Sequence, residues 1–534
     1  MPQLNSAVRQ RGKLHIGRDD DSHDTIKERL GLRMNGPDSE NGFVPSNNAR
    51  MWLTRKDAIQ WLKRFEPGVY SKVRSKLPPE GLHSHIYAAA KGIVQKLTKE
   101  GKEEGFVDDI QPGETAEVVD LSDKTAIVYD RGGLYLYCAE KLAEKYKNVM
   151  YYLADSDAYP TSQKASIGAG LPGIKRIHDF WKHIDEADVV YFFDCYDGEL
   201  QHWLKGKGYK VFGSGLGEQV EIDKVKFLDQ LREFGLPVAE TYIAKGMQDL
   251  KDYLRERDGQ TMYLKNLHRG DFESRKFTSL AQSKPFLDDL RKRVGTASDT
   301  MEVLVQHKIE ADLEVGYDGF CVNGEFTDNC IVGYEIKDKG FVGRIFEIPP
   351  DILKNMNDVF SGVFKKLGYN GNYSTEIRVT KKGEPYYIDA TCRVPSPPGE
   401  LMCEIYENWA EATYQMACGI VPMLIPKAKY GAVIVLTSDW HNEHEIHVNT
   451  PKNIRPYVKL KNHTLRDGEF YCIPNGNGAF FGAVVAWDDT LEGAIKKVLE
   501  YAKQVDADEC DYDESLFDAA KKQIEAGERH GIAY

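Results

Sequence analysis

The pattern of apolar and polar positions changes character twice along the chain. Residues 1 to about 50 mix charges with Gly, Pro and Asn, as in GRDDDSHD and MNGPDSENG, and show little periodicity. This predicts a loop or disordered arm. Between 54 and 98, apolar residues recur at helical spacing in DAIQWLKRF and again in HIYAAAKGIVQKL, predicting helices. A polar linker, GKEEGFVDDIQPGETAE, follows. After about residue 120 the pattern becomes strand–helix alternation. TAIVYD, NVMYYLA, ADVVYFFD and YKVFG read as strands, with GLYLYCAEKLAEKY, HDFWKHI and GELQHWLKGKG as helices between or beside them. That order argues for a small parallel α/β sheet. An amphipathic helix is predicted over 221–234, ended by Gly235-Leu-Pro237. Strand-like runs return at TMYLK, MEVLVQ, EVGYDGFCV and YYIDA. A last unit opens after Pro426 with AVIVLTS and closes with the helix LEGAIKKVLEYAKQ.

Composition narrows the class. The chain has 534 residues, with 83 acidic against 70 basic side chains and a net charge of −13. That length suggests roughly three to five domains. The acidic balance argues against nucleic acid or an anionic membrane as a partner. No apolar run approaches the ~18 residues that span a bilayer, and the N-terminal basic residues precede no apolar stretch of a secretory signal. Cys138, Cys195, Cys321, Cys330, Cys392, Cys403, Cys418, Cys472 and Cys510 form no CxxC pair and no zinc-type spacing. Their odd number in a large chain fits a reducing cytosol, so a cytoplasmic protein handling small molecules is expected.

Three groups of residues could carry chemistry. In STEIRVTKKGEPYYIDATCRVPSP, two strands joined by a Lys-Lys-Gly turn bring Glu376 and Asp389 within reach if both face one side. Two carboxylates on rigid strands suit Mg²⁺, and Arg393, four residues on, suits a phosphate or carboxylate. Taken alone, the pair reads first as a solvated hairpin. Lys224 near a helix start and Lys265 at a strand end could present cations to an anion, although a lone lysine in such a place is usually a solvated charge. Gly132 and Gly133, between a strand and a helix, could offer backbone N–H groups to an anion, or could form a simple tight turn. The His83-Ser-His85 pair reads as a helix-start feature, because no third ligand is evident nearby.

In order and spacing, these pieces resemble the ATP-grasp superfamily over roughly residues 121–534. Among its members they are most similar to glycinamide ribonucleotide synthetase (phosphoribosylamine–glycine ligase), with a weaker echo of biotin carboxylase. DRGGLYLYCAEKLAE, GEQVEIDKVKFLDQLREFGLPVAET, TEIRV…YYIDATCR and GNGAFFGAVVAWDDTLEGAIKKVLEYAKQV carry the resemblance. It implies an α/β and α+β multidomain chain. The expected parts are an N-terminal arm and helical extension (1–120), a Rossmann-like pre-ATP-grasp domain (121–215), an ATP-grasp domain (216–425) with a mobile lid at about 240–305, and a small C-terminal α+β domain (426–534). The resemblance further implies that ATP lies between two subdomains. Lys224 and Lys265 would meet its phosphates, Gln306 and Ile309 its adenine, and Glu314 its ribose. Glu376 and Asp389 would hold Mg²⁺ (or Mn²⁺), with Thr391 standing where the family usually has an Asn ligand. Arg393 would steady the transferring phosphoryl group, and Gly132, Gly133 and Arg269 would reach the substrate.

The implied activity is ATP-dependent joining of a small-molecule carboxylate to an amine through an acyl phosphate. The alternative is a non-catalytic ATP-grasp-fold binding or assembly protein. Leu134, Tyr135 and Leu136 replace the family's Arg-Glu-His after the Gly-Gly turn, and FFDCYDGEL lacks its Gly-Pro-Glu pattern. Phosphoribosylamine is therefore not the expected substrate. A dinucleotide enzyme is disfavoured because no GxGxxG follows TAIVYD. A homo-oligomer is compatible with this reading.

Overall fold

The structure is a computed structural model describing residues 119–154, 163–266, 274–474 and 478–534, with a few short stretches before 119. The helices expected between 54 and 98 fall largely outside the described residues, and His83, His85 and Arg269 fall wholly outside them. The chain divides into two units, Met1–Val119 and Asp120–Tyr534. In the first, the short strands Val44–Pro45 and Met51–Trp52 pair antiparallel.

The second unit opens with β1 (Thr125–Asp130), α1 (Leu136–Ala143), β2 (Asn148–Leu153), β3 (Ile174–Ile177), β4 (Val189–Phe192), α2 (Gly198–Gly206) and β5 (Val211–Phe212). The strands run parallel in the order β3-β2-β1-β4-β5. Ala126, Ile127, Val128 and all of β4 are buried, as befits strands covered on both faces. Strand order reverses between β1 and β4. Open α/β sheets form their ligand crevice at such a point, beyond the strands' carboxyl ends, and here that is where residues 131–135 and 193–197 leave the sheet.

The next helix starts later than the sequence pattern suggests. A single turn at Gln219–Ile222 breaks at Asp223, and α3 (Lys224–Glu233) begins there. The Asp223 carboxylate accepts the Lys226 N–H at 3.1 Å, an N-cap that fixes Lys224 at the head of the helix.

A four-stranded antiparallel sheet follows, built from β6 (Thr241–Lys245), β7 (Met262–Asn266), β8 (Arg275–Phe277) and β9 (Glu302–His307) in the order β8-β7-β9-β6. Helices α4 (Gly246–Glu256) and α5 (Leu280–Val294) cover one face, where Leu250, Leu254, Leu287 and Leu290 pack against Met262, Leu264, Val303 and Val305. Strand alternation therefore turns Tyr263, Lys265 and Gln306 to the other face.

The largest sheet has nine strands, eight on one path and the short Glu325–Phe326 off it, paired with Ala311–Val322. Its path joins β10 (Ala311–Val322), β11 (Cys330–Ile336), β12 (Gly340–Phe346), β13 (Asn370–Thr380), β14 (Pro385–Thr391), β15 (Tyr430–Thr437), β16 (Val458–Leu460) and β17 (Phe480–Asp488) in the order β14-β13-β10-β11-β12-β15-β17-β16. The strands β15, β16 and β17, from the last stretch of chain, thus extend the same sheet through pairing of β12 with β15. One face packs against α6 (Asp351–Leu367), whose buried Leu353, Met356, Val359, Phe360 and Phe364 follow the helical period. Burying each such side chain stabilises by about 1.5–3 kcal/mol. Gly368, in the left-handed region at φ 65°, ends the helix, a conformation costly for a residue with a Cβ. The described residues contain no helix long and apolar enough to cross a membrane.

Candidate active site

The site is built on the β13–β14 hairpin. Near its turn the register is regular, with Arg378 opposite Tyr386 and Ile377 opposite Tyr387. A bulge then shifts it, so that Glu376 pairs with Asp389 and Ile388 becomes the extra residue. Without the bulge Glu376 would pair with Ile388, and Asp389 would point to the opposite face. The bulge is what brings the two acids together.

Two lysines converge on them from different elements. Lys224 of α3 reaches Asp389 Oδ1 at 3.3 Å, and Lys265 of β7 reaches Oδ2 at 2.9 Å. Lys265 is only 8% exposed, so its ammonium depends on this partner. Burial acts to raise the Asp389 carboxyl, but the two lysines outweigh it and hold it well below the usual carboxylate range. Asp389 in turn raises Lys224. Glu376 has the opposite fate. Burial, followed by Glu314, Asp389 and Asp318, pushes it up to about 7, opposed by Lys265.

Asp318 lies on β10, 2% exposed, and accepts a 2.7 Å hydrogen bond from the Ser374 hydroxyl. Burial pushes its carboxyl up to about 7. The folded state therefore keeps a proton that the unfolded chain releases near pH 4, so stability falls as pH rises from about 4 to 7. Asp318→Asn removes that penalty. Calorimetry from pH 5 to 8 should show wild-type protein losing on the order of 2–4 kcal/mol relative to the variant; parallel melting curves would refute the assignment.

Arg393 follows β14 and is held by Glu221, whose Oε1 accepts its Nε–H at 2.9 Å while Oε2 accepts the Cys392 N–H at 2.6 Å. Its Nη1 also donates to the Tyr135 hydroxyl at 3.4 Å. Glu221, more than burial, sets the Arg393 charge, raising its pKa well above the ordinary value. Thr391 is half-buried at the end of β14, in register with Ser374. Glu314 of β10 accepts from Arg378 of β13, whose Nε and Nη2 both lie 2.9 Å from Oε2. Gln306 pairs with Tyr263 and Thr241 in the four-stranded sheet, and its Nε2 donates to Thr241 Oγ1 at 3.5 Å. Ile309 is half-buried in the turn between β9 and β10, where its carbonyl accepts the Ala311 N–H at 3.0 Å.

Gly132 and Gly133 stand apart from this cluster. Their N–H groups donate to Asp130 Oδ1 at 3.1 and 2.9 Å, while Asp130 Oδ2 accepts from the Tyr135 N–H at 3.0 Å and the Tyr151 hydroxyl at 2.9 Å. The turn is thus closed on the chain's own buried carboxylate. The residues the sequence pattern did not single out are Asp318, Arg378, Glu221 and Asp130. Of these only Asp130 carried a local signal, an Asp just before a Gly-Gly turn.

Among the described residues no group of three His, Cys, Asp or Glu side chains is arranged to hold a metal ion alone. Glu376 and Asp389 nonetheless fit Mg²⁺, which takes one or two carboxylates and completes its shell with phosphates and water. The raised Glu376 marks an excess of carboxylates that a divalent cation would relieve.

The parallel sheet with its switch point, the four-stranded sheet and the large antiparallel sheet make a mixed α/β architecture that matches solved structures of ATP-grasp fold. The chain is similar to phosphoribosylamine–glycine ligase from Thermotoga maritima, with TM-score 0.56 and 16% identity over 73% of this chain and 99% of that one. It is also similar to the biotin carboxylase domain of 2-oxoglutarate carboxylase from Hydrogenobacter thermophilus, solved with MgADP and bicarbonate, with TM-score 0.54 and 13% identity over 77% of this chain and 99% of that one. A third similar structure is biotin carboxylase from Campylobacter jejuni, with TM-score 0.53 and 14% identity over 75% of this chain and 99% of that one. No protein-family model and no curated protein sequence matches the chain.

Proposed function

We propose that the protein is an ATP-dependent ligase that joins a small carboxylate to an amine. The observation that carries this is the Asp389 carboxylate shared by Lys224 and Lys265, beside Glu376. A triphosphate entering between the four-stranded sheet and β13–β14 would exchange partners: the lysines turn from Asp389 to phosphate oxygens, and Asp389 is released to a cation. The four-stranded sheet with α4 and α5 acts as the lid. Mg²⁺, held by Glu376 and Asp389 with Thr391 alongside, would supply neutralising charge to the phosphates.

The chain's own residues then position and stabilise. A substrate carboxylate oxygen attacks the γ-phosphorus, ADP leaves, and an acyl phosphate forms. The amine nitrogen attacks the acyl carbon, phosphate leaves, and the nitrogen gives up a proton. Lys224, Lys265 and Arg393 face the negative charge that shifts in both steps, work done by placement of charge. Among the described residues the N–H groups of Gly132 and Gly133 donate to Asp130, which supports a substrate other than phosphoribosylamine.

The test is calorimetric titration of ATP with and without Mg²⁺, followed by a phosphate-release screen pairing small carboxylic acids with amines. Mg²⁺-dependent binding and one active pair are expected. Absence of Mg²⁺-dependent nucleotide binding would overturn the reading.

A further inference from the structure

Only residues 308–310 separate β9, the last strand of the four-stranded sheet, from β10. Just past that joint, α7 (Leu516–Arg529) and the residue after it grip the start of β10 at two places. Arg529 Nη2 and His530 Nε2 lie 3.1 and 3.3 Å from Asp312 Oδ2, and Gln523 Oε1 accepts the Glu314 N–H at 3.1 Å. Leu516, Phe517, Ala520, Ala526 and Gly527 form the buried stripe of α7. Gln523, three residues after Ala520 and four before Gly527, falls on that stripe. Pairing of β10 with β11 ends at Gly316–Gly333, so Glu314 lies past the last rung. The Gln523 amide oxygen stands where a neighbouring strand's carbonyl would.

Gly316, two residues after Glu314, pairs with Glu376. A period of two therefore puts Glu314 and Glu376 on one face of the sheet, about 7 Å apart along the strand direction. There Glu314 holds the Arg378 guanidinium through two 2.9 Å contacts. We propose that Gln523 is a positioning residue of the nucleotide site: by fixing the Glu314 backbone, it sets where the Glu314–Arg378 pair stands beside the phosphate cluster. The amide nitrogen it holds is bonded directly to the Glu314 Cα, so the two move together. Packing alone would be served by an apolar residue at 523, as at the other positions of the stripe. The Asp312 contacts anchor the fixed side of the joint, so the lid turns about residues 308–310 while Glu314 keeps its place. The inference gives α7 a part in nucleotide binding and rests on the nucleotide reading above.

The experiment titrates the full chain with ATP and with inorganic tripolyphosphate, which reaches the lysine–acid cluster alone, both with Mg²⁺. Gln523→Met keeps the length and loses the oxygen, and ATP affinity should fall roughly three- to tenfold, the range of one hydrogen bond. Tripolyphosphate affinity should stay within about twofold. Gln523→Asn, whose oxygen falls one methylene short, should repeat the defect, and Gln523→Glu, which keeps an acceptor, should restore ATP binding. In a Glu314→Gln background, Gln523→Met should change ATP affinity by less than about twofold, because its effect passes through Glu314. Circular dichroism melting establishes that each variant is folded. A lowered melting temperature with unchanged ATP affinity would make Gln523 a packing residue and overturn the proposal. So would an equal loss for tripolyphosphate, or a full loss that persists beside Glu314→Gln. If wild-type protein binds neither probe, the nucleotide site itself is wrong and this role falls with it.

Discussion

Asp389→Asn is expected to lower turnover by at least about 100-fold and to destabilise the protein together. The substitution leaves Lys224 and Lys265 facing an amide, so two cations lose the anion that offsets their burial. Stripping one partner from a fully buried pair costs about 3–5 kcal/mol. Here the Asp389 and Lys224 side chains are 35% and 32% exposed, so water screens part of that loss and roughly 1–3 kcal/mol is expected. The sign with pH is fixed by the depressed Asp389 carboxyl. Its contribution is present above the unfolded carboxyl's value, near pH 4, and is lost as pH falls further. Urea unfolding at pH 7 should separate variant from wild type, and the gap should narrow in acid. Equal midpoints at pH 7 would sink the electrostatic account; retained turnover would sink the catalytic one.

Arg393→Lys probes a different step. Lysine keeps the positive charge but cannot make the Glu221 contact while also reaching Tyr135 through a planar fork. Nucleotide affinity should hold, because Lys224 and Lys265 remain. The rate constant at saturating substrate should fall about 100-fold, the cost of losing one preorganised donor at the reacting phosphoryl or acyl group. A rise in nucleotide KM with an unchanged rate constant would place Arg393 in binding only. Glu221→Gln should mimic part of the defect, since Glu221 also holds the Cys392 N–H and thereby the start of the loop that carries Arg393.

Much of the fold was legible because its signals are local. The apolar runs at 125–130 and 189–192 declared buried parallel strands, and the helical period over 221–234 declared an amphipathic helix where α3 lies. The candidate site was legible in its residues but not in its geometry. Glu376 and Asp389 stand out in the hairpin sequence, yet their common face depends on the bulge at Ile388, which no residue type there announces. Arg378 was overlooked because on the sequence it is one more charge in a strand; its partners, Glu314 and Tyr263, lie more than sixty and more than a hundred positions earlier. At the Gly132–Gly133 turn the sequence left two readings open, an anion site and a tight turn. Its N–H groups do gather around an anion, but the anion is Asp130, supplied by the preceding strand. Helix α3 begins late because Asp223 captures a backbone N–H that a continuous helix would have left to an earlier carbonyl.

The pairing of β12 with β15 sets a timetable for synthesis. While the chain emerges, β12 leaves the ribosome long before β15, and the hairpin, α6 and two further helices must appear in between. Throughout that interval one border of the sheet presents bare N–H and C=O groups, a template on which another nascent chain can add. Gly340–Phe346 is therefore the stretch where a chaperone has most to protect. Slowing translation while residues 430–437 are still enclosed by the ribosome would lengthen the exposure, whereas a pause after they have emerged and paired would not affect this edge.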